Sequence, residues 1–238
     1  MKLDILAVGV HPDDVELSCS GTLVKHIAMG KSVGLLDLTQ GELGTRGSAD
    51  IRMQEAEAAM RYMKAACRVQ LQFKDGAIEN NFQHQQAIIE CIREYRPDIV
   101  LCNAPEDRHP DHGRAAALVA DACFYSGLPK RVSHRNGIAQ AAWRPKAVYH
   151  YIQDVFLKPD FVIDVTAFIE QKRALITCFK SQFYNPQSTE PETPISSPFF
   201  LQSIESKMAL YGRALGVAYA EGFITRRYPG VNTFSDLI

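Results

Sequence analysis

The first half of the chain switches repeatedly between continuous apolar runs and helical spacing, and this alternation limits the fold more than any other feature. Leu3–Val10 is an apolar run without the polar alternation of a half-solvated strand, so it predicts a buried parallel strand. Val15–Met29 follows with helical spacing. Ser32–Leu38 reads as a second strand and Ile51–Ala66 as a second helix, with Ser48 as N-cap and Asp50 in its first turn. Arg68–Phe73 is a third strand, Phe82–Tyr95 a third helix stopped by Pro97, Pro97–Cys102 a fourth strand, and Ala115–Tyr125 a fourth helix. Strand–helix repetition of this kind predicts an α/β fold: a Rossmann-like, mostly parallel sheet with helices on both faces. Sheets of this class place their sites beyond the carboxyl ends of their strands.

The remainder is less regular. Ala147–Ile152 and Phe161–Val165 read as strands, Thr166–Lys180 as a helix, Asn185–Pro198 as a loop, and about Ser203 to Leu215 as a last helix. With no internal repeat and no linker, residues 1–238 are expected to form one domain, a size that a single α/β core accommodates.

Two clusters carry the chemistry. His11-Pro12-Asp13-Asp14-Val15-Glu16 stands where the first strand ends, and His109-Pro110-Asp111-His112 follows the fourth. Alone, each has a plain reading: Asp-Asp after a strand suits a solvated turn or helix cap, and His-Pro-Asp-His suits a surface turn. In a parallel sheet, however, both emerge at the same edge. Imidazole and carboxylate ligands suit zinc, and a catalytic zinc site pairs three protein ligands with an open position. Two histidines and an aspartate would supply that set. A neighbouring carboxylate could move the proton of an attacking water, and another histidine could stabilise an oxyanion or protonate a leaving group.

These motifs resemble those of the PIG-L/LmbE-like deacetylase family. Further matches are Thr39-Gln40-Gly41-Glu42-Leu43-Gly44-Thr45-Arg46-Gly47 after the second strand, Arg52-x-x-Glu55-Ala56, Ser181-Gln182 and Ala220-Glu221-Gly222-Phe223. His-Pro-Asp-Asp-Val-Glu with Cys19 shortly after, and the later Glu106-Asp107-Arg108-His109-Pro110-Asp111-His112, are most similar to the bacillithiol-biosynthesis branch, which deacetylates N-acetylglucosaminyl malate. The resemblance implies His11, Asp14 and His112 as zinc ligands, Asp13 as general base and then proton donor, His109 as the group acting on the tetrahedral intermediate, and Asp111 as the residue orienting His109. Ferrous iron is the alternative metal. Some relatives bind the oxyanion with a loop tyrosine, for which Tyr151 and Tyr184 are both candidates. Arg52 and Arg108 are expected to face substrate carboxylates, which an arginine fork pairs bidentately. Asp75 is expected either to accept sugar hydroxyls or to sit in a turn. Glu16 is expected to favour the dipole of the first helix, and Gly41-x-x-Gly44-x-x-Gly47 to form a flexible loop facing the substrate.

Composition narrows the partners. A net charge of -1 gives no electrostatic case for nucleic-acid binding, and the absence of a long apolar run leaves nothing to span a membrane. The first apolar run ends in carboxylates, so it reads as a strand rather than a signal peptide. The six cysteines are dispersed, without a C-x-x-C pair, and are expected to be free thiols of a cytoplasmic protein. The expected partner is a small amino-sugar substrate; the oligomeric state, a homo-oligomer included, stays open. Two other readings compete. One is deacetylation of a different N-acetylglucosaminide. The other is a non-catalytic Rossmann-like binding domain, against which stands the lack of a dinucleotide fingerprint.

Overall fold

The computed structural model describes residues 1–236. Its strands are β1 (Ile5–Gly9), β2 (Val33–Thr39), β3 (Cys67–Phe73), β4 (Ile99–Asn103), β5 (His134–Arg135), β6 (Ile138–Ala139), β7 (Ala147–Tyr151), β8 (Phe161–Asp164) and β9 (Ala220–Thr225). Its α-helices are α1 (Asp14–Ala28), α2 (Ala49–Met63), α3 (Phe82–Tyr95), α4 (Pro110–Tyr125), α5 (Ile169–Ile176) and α6 (Phe200–Leu215). Seven strands form one sheet in the order β3-β2-β1-β4-β7-β9-β8, and β5 and β6 form a separate short ribbon. Pairings β1–β2, β2–β3, β1–β4 and β4–β7 are parallel; β9 runs antiparallel to both β7 and β8.

Alternation along the central strands divides the core into two layers. Ile5 and Ala7 of β1 face the cluster of Val15, Leu23, Ala59 and Leu175, which belongs to α1, α2 and α5. Leu6 and Val8 face the opposite cluster of Ile88, Ile92, Leu118 and Val119, from α3 and α4. Both faces of β1 are therefore covered, which is why its sequence is apolar throughout. The α/β sheet with helices on both faces is the architecture that the alternation predicts.

Chain order reverses between β1 and β4: from β1 the chain builds outward through β2 and β3, then returns to start β4 on the other side. A crevice opens at such a switch point, outside the carboxyl ends of the two strands. Both histidine clusters begin there.

Helix α1 carries the first cluster and is fixed by buried charge. Lys172 of α5 donates from Nζ to the carbonyl of Leu17 (2.7 Å) and to Glu221 Oε1 (2.7 Å). Glu221 in turn accepts the backbone N–H groups of Gly21 (3.0 Å) and Thr22 (2.7 Å). Glu16 meets Arg68 at 2.6 Å, and Arg68 forks onto Asp37 at 2.6 and 2.8 Å. Glu16 does lie in the first turn of α1, but its carboxylate is buried against Arg68. Removing either partner of such a pair leaves a charge stranded in the core, at about 3–5 kcal/mol. All six cysteines are free. Burial, with Glu221 adding to it, pushes the Cys19 thiol well above its ordinary pKa, so Cys19 is a core residue rather than a reactive one.

Candidate active site

His11 to Asp14 form the turn that leads from β1 into α1. Asp13 is the N-cap, with φ 136° and ψ -22°, a conformation that a residue with a Cβ rarely adopts. Holding it there costs about 1–3 kcal/mol. The brace is Arg52 of α2, which donates from Nη2 to the carbonyl of Pro12 (2.8 Å) and lies 3.1 Å from Asp13 Oδ2. Its Nη1 reaches the carbonyl of Gly41 at 3.3 Å. Gly41 has φ +65°, and a Cβ there would lie 2.0 Å from Arg52 Nη1, so the packing requires glycine. Arg52 is therefore already engaged by Asp13 and two carbonyls. Arg52 braces the turn and also borders the cavity in which it was expected to face a substrate carboxylate.

The second cluster is not a surface turn. His109 caps α4, Pro110 occupies its first turn, and Asp111 and His112 are helical. The helix thus starts at the motif, five residues before the expected Ala115, because proline favours a first helical position, where no N–H is needed. The Asp111 N–H donates to His109 Nδ1 at 3.3 Å, which leaves the His109 proton on Nε2. The Asp111 carboxylate instead accepts from Arg114 at 2.9 Å. Asp111 therefore orients His109 through its backbone; the expected carboxylate contact is absent, because the helical turn directs that side chain toward Arg114.

Across the crevice the two clusters meet. His112 Nε2 lies 3.4 Å from His11 Nδ1 and 3.3 Å from Asp14 Oδ1, and His11 Nδ1 lies 3.8 Å from Asp14 Oδ2. Donors placed about 2.0–2.1 Å from a tetrahedral zinc ion would lie roughly 3.3 Å apart; the two separations from His112 Nε2 match this spacing, and the 3.8 Å separation of His11 is to the other oxygen of Asp14. His109 also has a nitrogen within 4.8 Å of the other two imidazoles. With its Nδ1 taken by a backbone N–H, it suits a neighbouring role better than that of third ligand.

The outer nitrogens of both imidazoles are held by carboxylates, the usual arrangement behind metal-ligating histidines. His11 Nε2 donates to Asp75 Oδ1 at 2.9 Å, and His112 Nδ1 donates to Asp107 Oδ2 at 2.6 Å. Asp75 Oδ2 accepts the N–H of Leu43. Asp75 thus orients His11, and each of its oxygens keeps a lone pair where it borders the cavity, the side on which a sugar hydroxyl was expected. Asp107 was not singled out in the sequence; its signal is a carboxylate five residues before a ligand-type histidine.

Electrostatics match this arrangement. Burial disfavours charge on His11 and His112, but Asp14 with Asp75 and Asp14 with Asp107 outweigh it, raising the two pKa values to about 9 and about 10. Burial would raise Asp14, yet His112 and His11 hold it well below the usual carboxylate range. Asp13 goes the other way: burial lifts it to about 7, against the pull of Arg52. Burial and the nearby His11 and His112 push His109 down, which keeps it neutral.

A cavity of about 280 Å³ opens over these groups, near the lower limit for small-molecule sites. Its walls include Leu43, Gly44 and Thr45 of the glycine loop, and Thr193, Ile195 and Phe200 from the segment entering α6. The loop faces the cavity as expected, but it is tied down: buried Arg46 donates to Ser188 Oγ at 2.6 Å, and the Gly47 N–H to Glu190 at 3.0 Å. Arg108 is half exposed at the cavity and pairs with Asp154. Neither candidate tyrosine lines the cavity. Tyr151 is fully buried and donates to the carbonyl of Val8 at 2.9 Å, and Tyr184 is about half exposed.

Comparison with known proteins decides the family. Residues 6–123 match the model for "PIG-L: GlcNAc-PI de-N-acetylase". The chain belongs to the PIG-L family. It is similar to the diacetylchitobiose deacetylase of Thermococcus kodakarensis, at 27% identity over 95% of this chain and 84% of that one. It is also similar to the 1D-myo-inositol 2-acetamido-2-deoxy-alpha-D-glucopyranoside deacetylase of Acidothermus cellulolyticus, at 25% identity over 92% and 88%. Among solved structures, a conserved protein of Thermus thermophilus superposes with TM-score 0.85 at 32% identity, over 97% of this chain and 98% of that one. Both clusters and their orienting carboxylates lie inside the matched residues. Among the described residues, no helix is long and apolar enough to cross a membrane.

Proposed function

We propose that the protein is a cytoplasmic, metal-dependent hydrolase that removes the N-acetyl group from an N-acetylglucosamine-type substrate. The narrower reading is N-acetylglucosaminyl malate, as in bacillithiol biosynthesis. One observation carries the chemistry: His11 and Asp14 both lie at ligand spacing from His112, with an orienting carboxylate behind each imidazole. These three would hold zinc, or ferrous iron, which accepts the same ligands. When bound, such an ion supplies a Lewis acid for the acyl carbonyl and lowers the pKa of a water in the site. Asp13, with a pKa raised to about 7, is suited to take a proton from the attacking water near neutrality and pass it to the leaving amine. Neutral His109 presents its Nε2–H to the developing oxyanion. Arg108, paired only with a partly exposed Asp154, can exchange that partner for a substrate carboxylate.

The similar proteins named above as deacetylases of diacetylchitobiose and of an acetamido-glucopyranosyl inositol support the amino-sugar class. The malate-bearing substrate rests on the motif resemblance and on Arg108. The test is to quantify free amine from the zinc-loaded protein given N-acetylglucosaminyl malate, N-acetylglucosamine or diacetylchitobiose. Release mainly from the first supports the narrow reading. Release mainly from another leaves the chemistry and replaces the substrate. No release from any, with the ion bound, refutes the deacetylase reading.

A further inference from the structure

Asp14 is surrounded by hydrogen-bond donors, and their distribution between its two oxygens is unequal. Oδ2 accepts three: the backbone N–H groups of Val10 (2.9 Å) and His11 (3.0 Å), and Asn103 Nδ2 (3.0 Å). Oδ1 accepts one amide donor, Gln153 Nε2 at 2.7 Å, and faces His112 Nε2 at 3.3 Å. Each carboxylate oxygen offers about two lone-pair sites. Oδ2 is thus saturated, and Oδ1 keeps one site, on the side of His112.

The two amides set this division jointly. Asn103, at the end of β4, is fully buried. Its Nδ2 also donates to Gln153 Oε1 at 3.2 Å. That bond turns the Gln153 amide so that its nitrogen, not its oxygen, faces Asp14. Gln153 follows β7, and its carbonyl is gripped by Lys207 of α6. The next two residues, Asp154 and Val155, donate their N–H groups to Asp107 Oδ1 at 3.1 and 2.9 Å. Asp107 is the residue that orients His112. One short loop after β7 therefore controls two of the three candidate ligands.

We propose that Asn103 and Gln153 are positioning residues that hold Asp14 as a one-oxygen ligand, so that a coordination position stays free for water and substrate. The inference rests on the ligand assignment above, and the experiment separates the two. Gln153 sits in the cavity wall, so Gln153→Met, which removes the donor, and Gln153→Glu, which reverses it, leave the core untouched. Asn103→Ala is added, with thermal melting of the metal-free protein as its folding control. Each is titrated with Zn²⁺ against a competing chelator, and each is loaded with Co²⁺ for its visible spectrum, which is intense at four-coordination and weak at higher numbers.

Wild-type protein is expected to bind one ion. The Gln153 variants should bind roughly 10–100-fold more weakly, the range for loss of a residue that orients a ligand, and should show a weaker cobalt band. Variants equal to wild type in affinity and spectrum overturn the inference and leave the proposed function standing. Weaker binding with an unchanged spectrum overturns the one-oxygen assignment. Failure of wild-type protein to bind any ion overturns the ligand assignment itself.

Discussion

Replacing Arg52 by methionine separates two roles that the sequence alone could not distinguish. The guanidinium lies 3.1 Å from Asp13 Oδ2, and both side chains are about 5% exposed. An opposite charge this close lowers a carboxylate pKa by about 1–3 units. Without it, the pKa of Asp13, already raised to about 7 by burial, moves further up. The base is active when deprotonated, so the acid limb of the kcat/KM profile should shift toward alkaline pH by about that amount. Stability should fall as well: breaking a buried pair costs about 3–5 kcal/mol, and the carbonyls of Pro12 and Gly41 each lose a donor. Urea unfolding of the metal-free protein measures the second effect, and rates across pH in the metal-loaded protein measure the first. An unmoved limb refutes the brace. If KM for the malate-bearing substrate rises while the limb stays fixed, Arg52 returns to the substrate-facing role that the motif suggested.

Three further outcomes are expected. Asp107→Ala, which removes the 2.6 Å partner of His112, should weaken metal binding by about 10–100-fold; unchanged affinity in a chelator competition would show that His112 needs no such support. Metal uptake should release protons, because His11 and His112 carry them below about pH 9 and 10 while ligands must be unprotonated. Affinity should therefore fall as pH falls, and calorimetry in buffers of different ionisation heat checks it; a pH-independent affinity contradicts the assignment. Tyr151→Phe should cost about 1 kcal/mol of stability through the lost bond to Val8 and leave kcat unchanged, whereas a hundredfold loss of kcat would put this tyrosine back into the reaction.

The parts of this molecule that the sequence revealed are those written in one continuous stretch. β1, buried on both faces, had to be apolar throughout, and apolar runs alternate with helical spacing after it, so the parallel sheet could be read directly. His11, Asp13, Asp14, His109 and His112 were legible for a related reason: each cluster is short, and strand order alone brings them to one edge. Strand β9 was missed. Its buried Glu221 and Gly222 break the apolar run that marks a strand, because Glu221 serves Lys172 and the backbone of α1 rather than the sheet.

The contacts that the sequence did not reveal join partners distant in the chain. Asp75 meets His11 across 64 positions, Arg52 meets Asp13 from the next helix, and Gln153 reaches Asp14 across 139. Composition at those positions is ordinary for a turn, a helix surface and a loop. A motif can name groups that meet where strands end. The groups that aim them are chosen by packing. In this fold they come from α2, the end of β4 and the loops after β3, β4 and β7, so only the folded chain shows that Asp14, the most heavily bonded carboxylate in the site, takes its orientation from one amide at the end of β4 and another in the loop after β7.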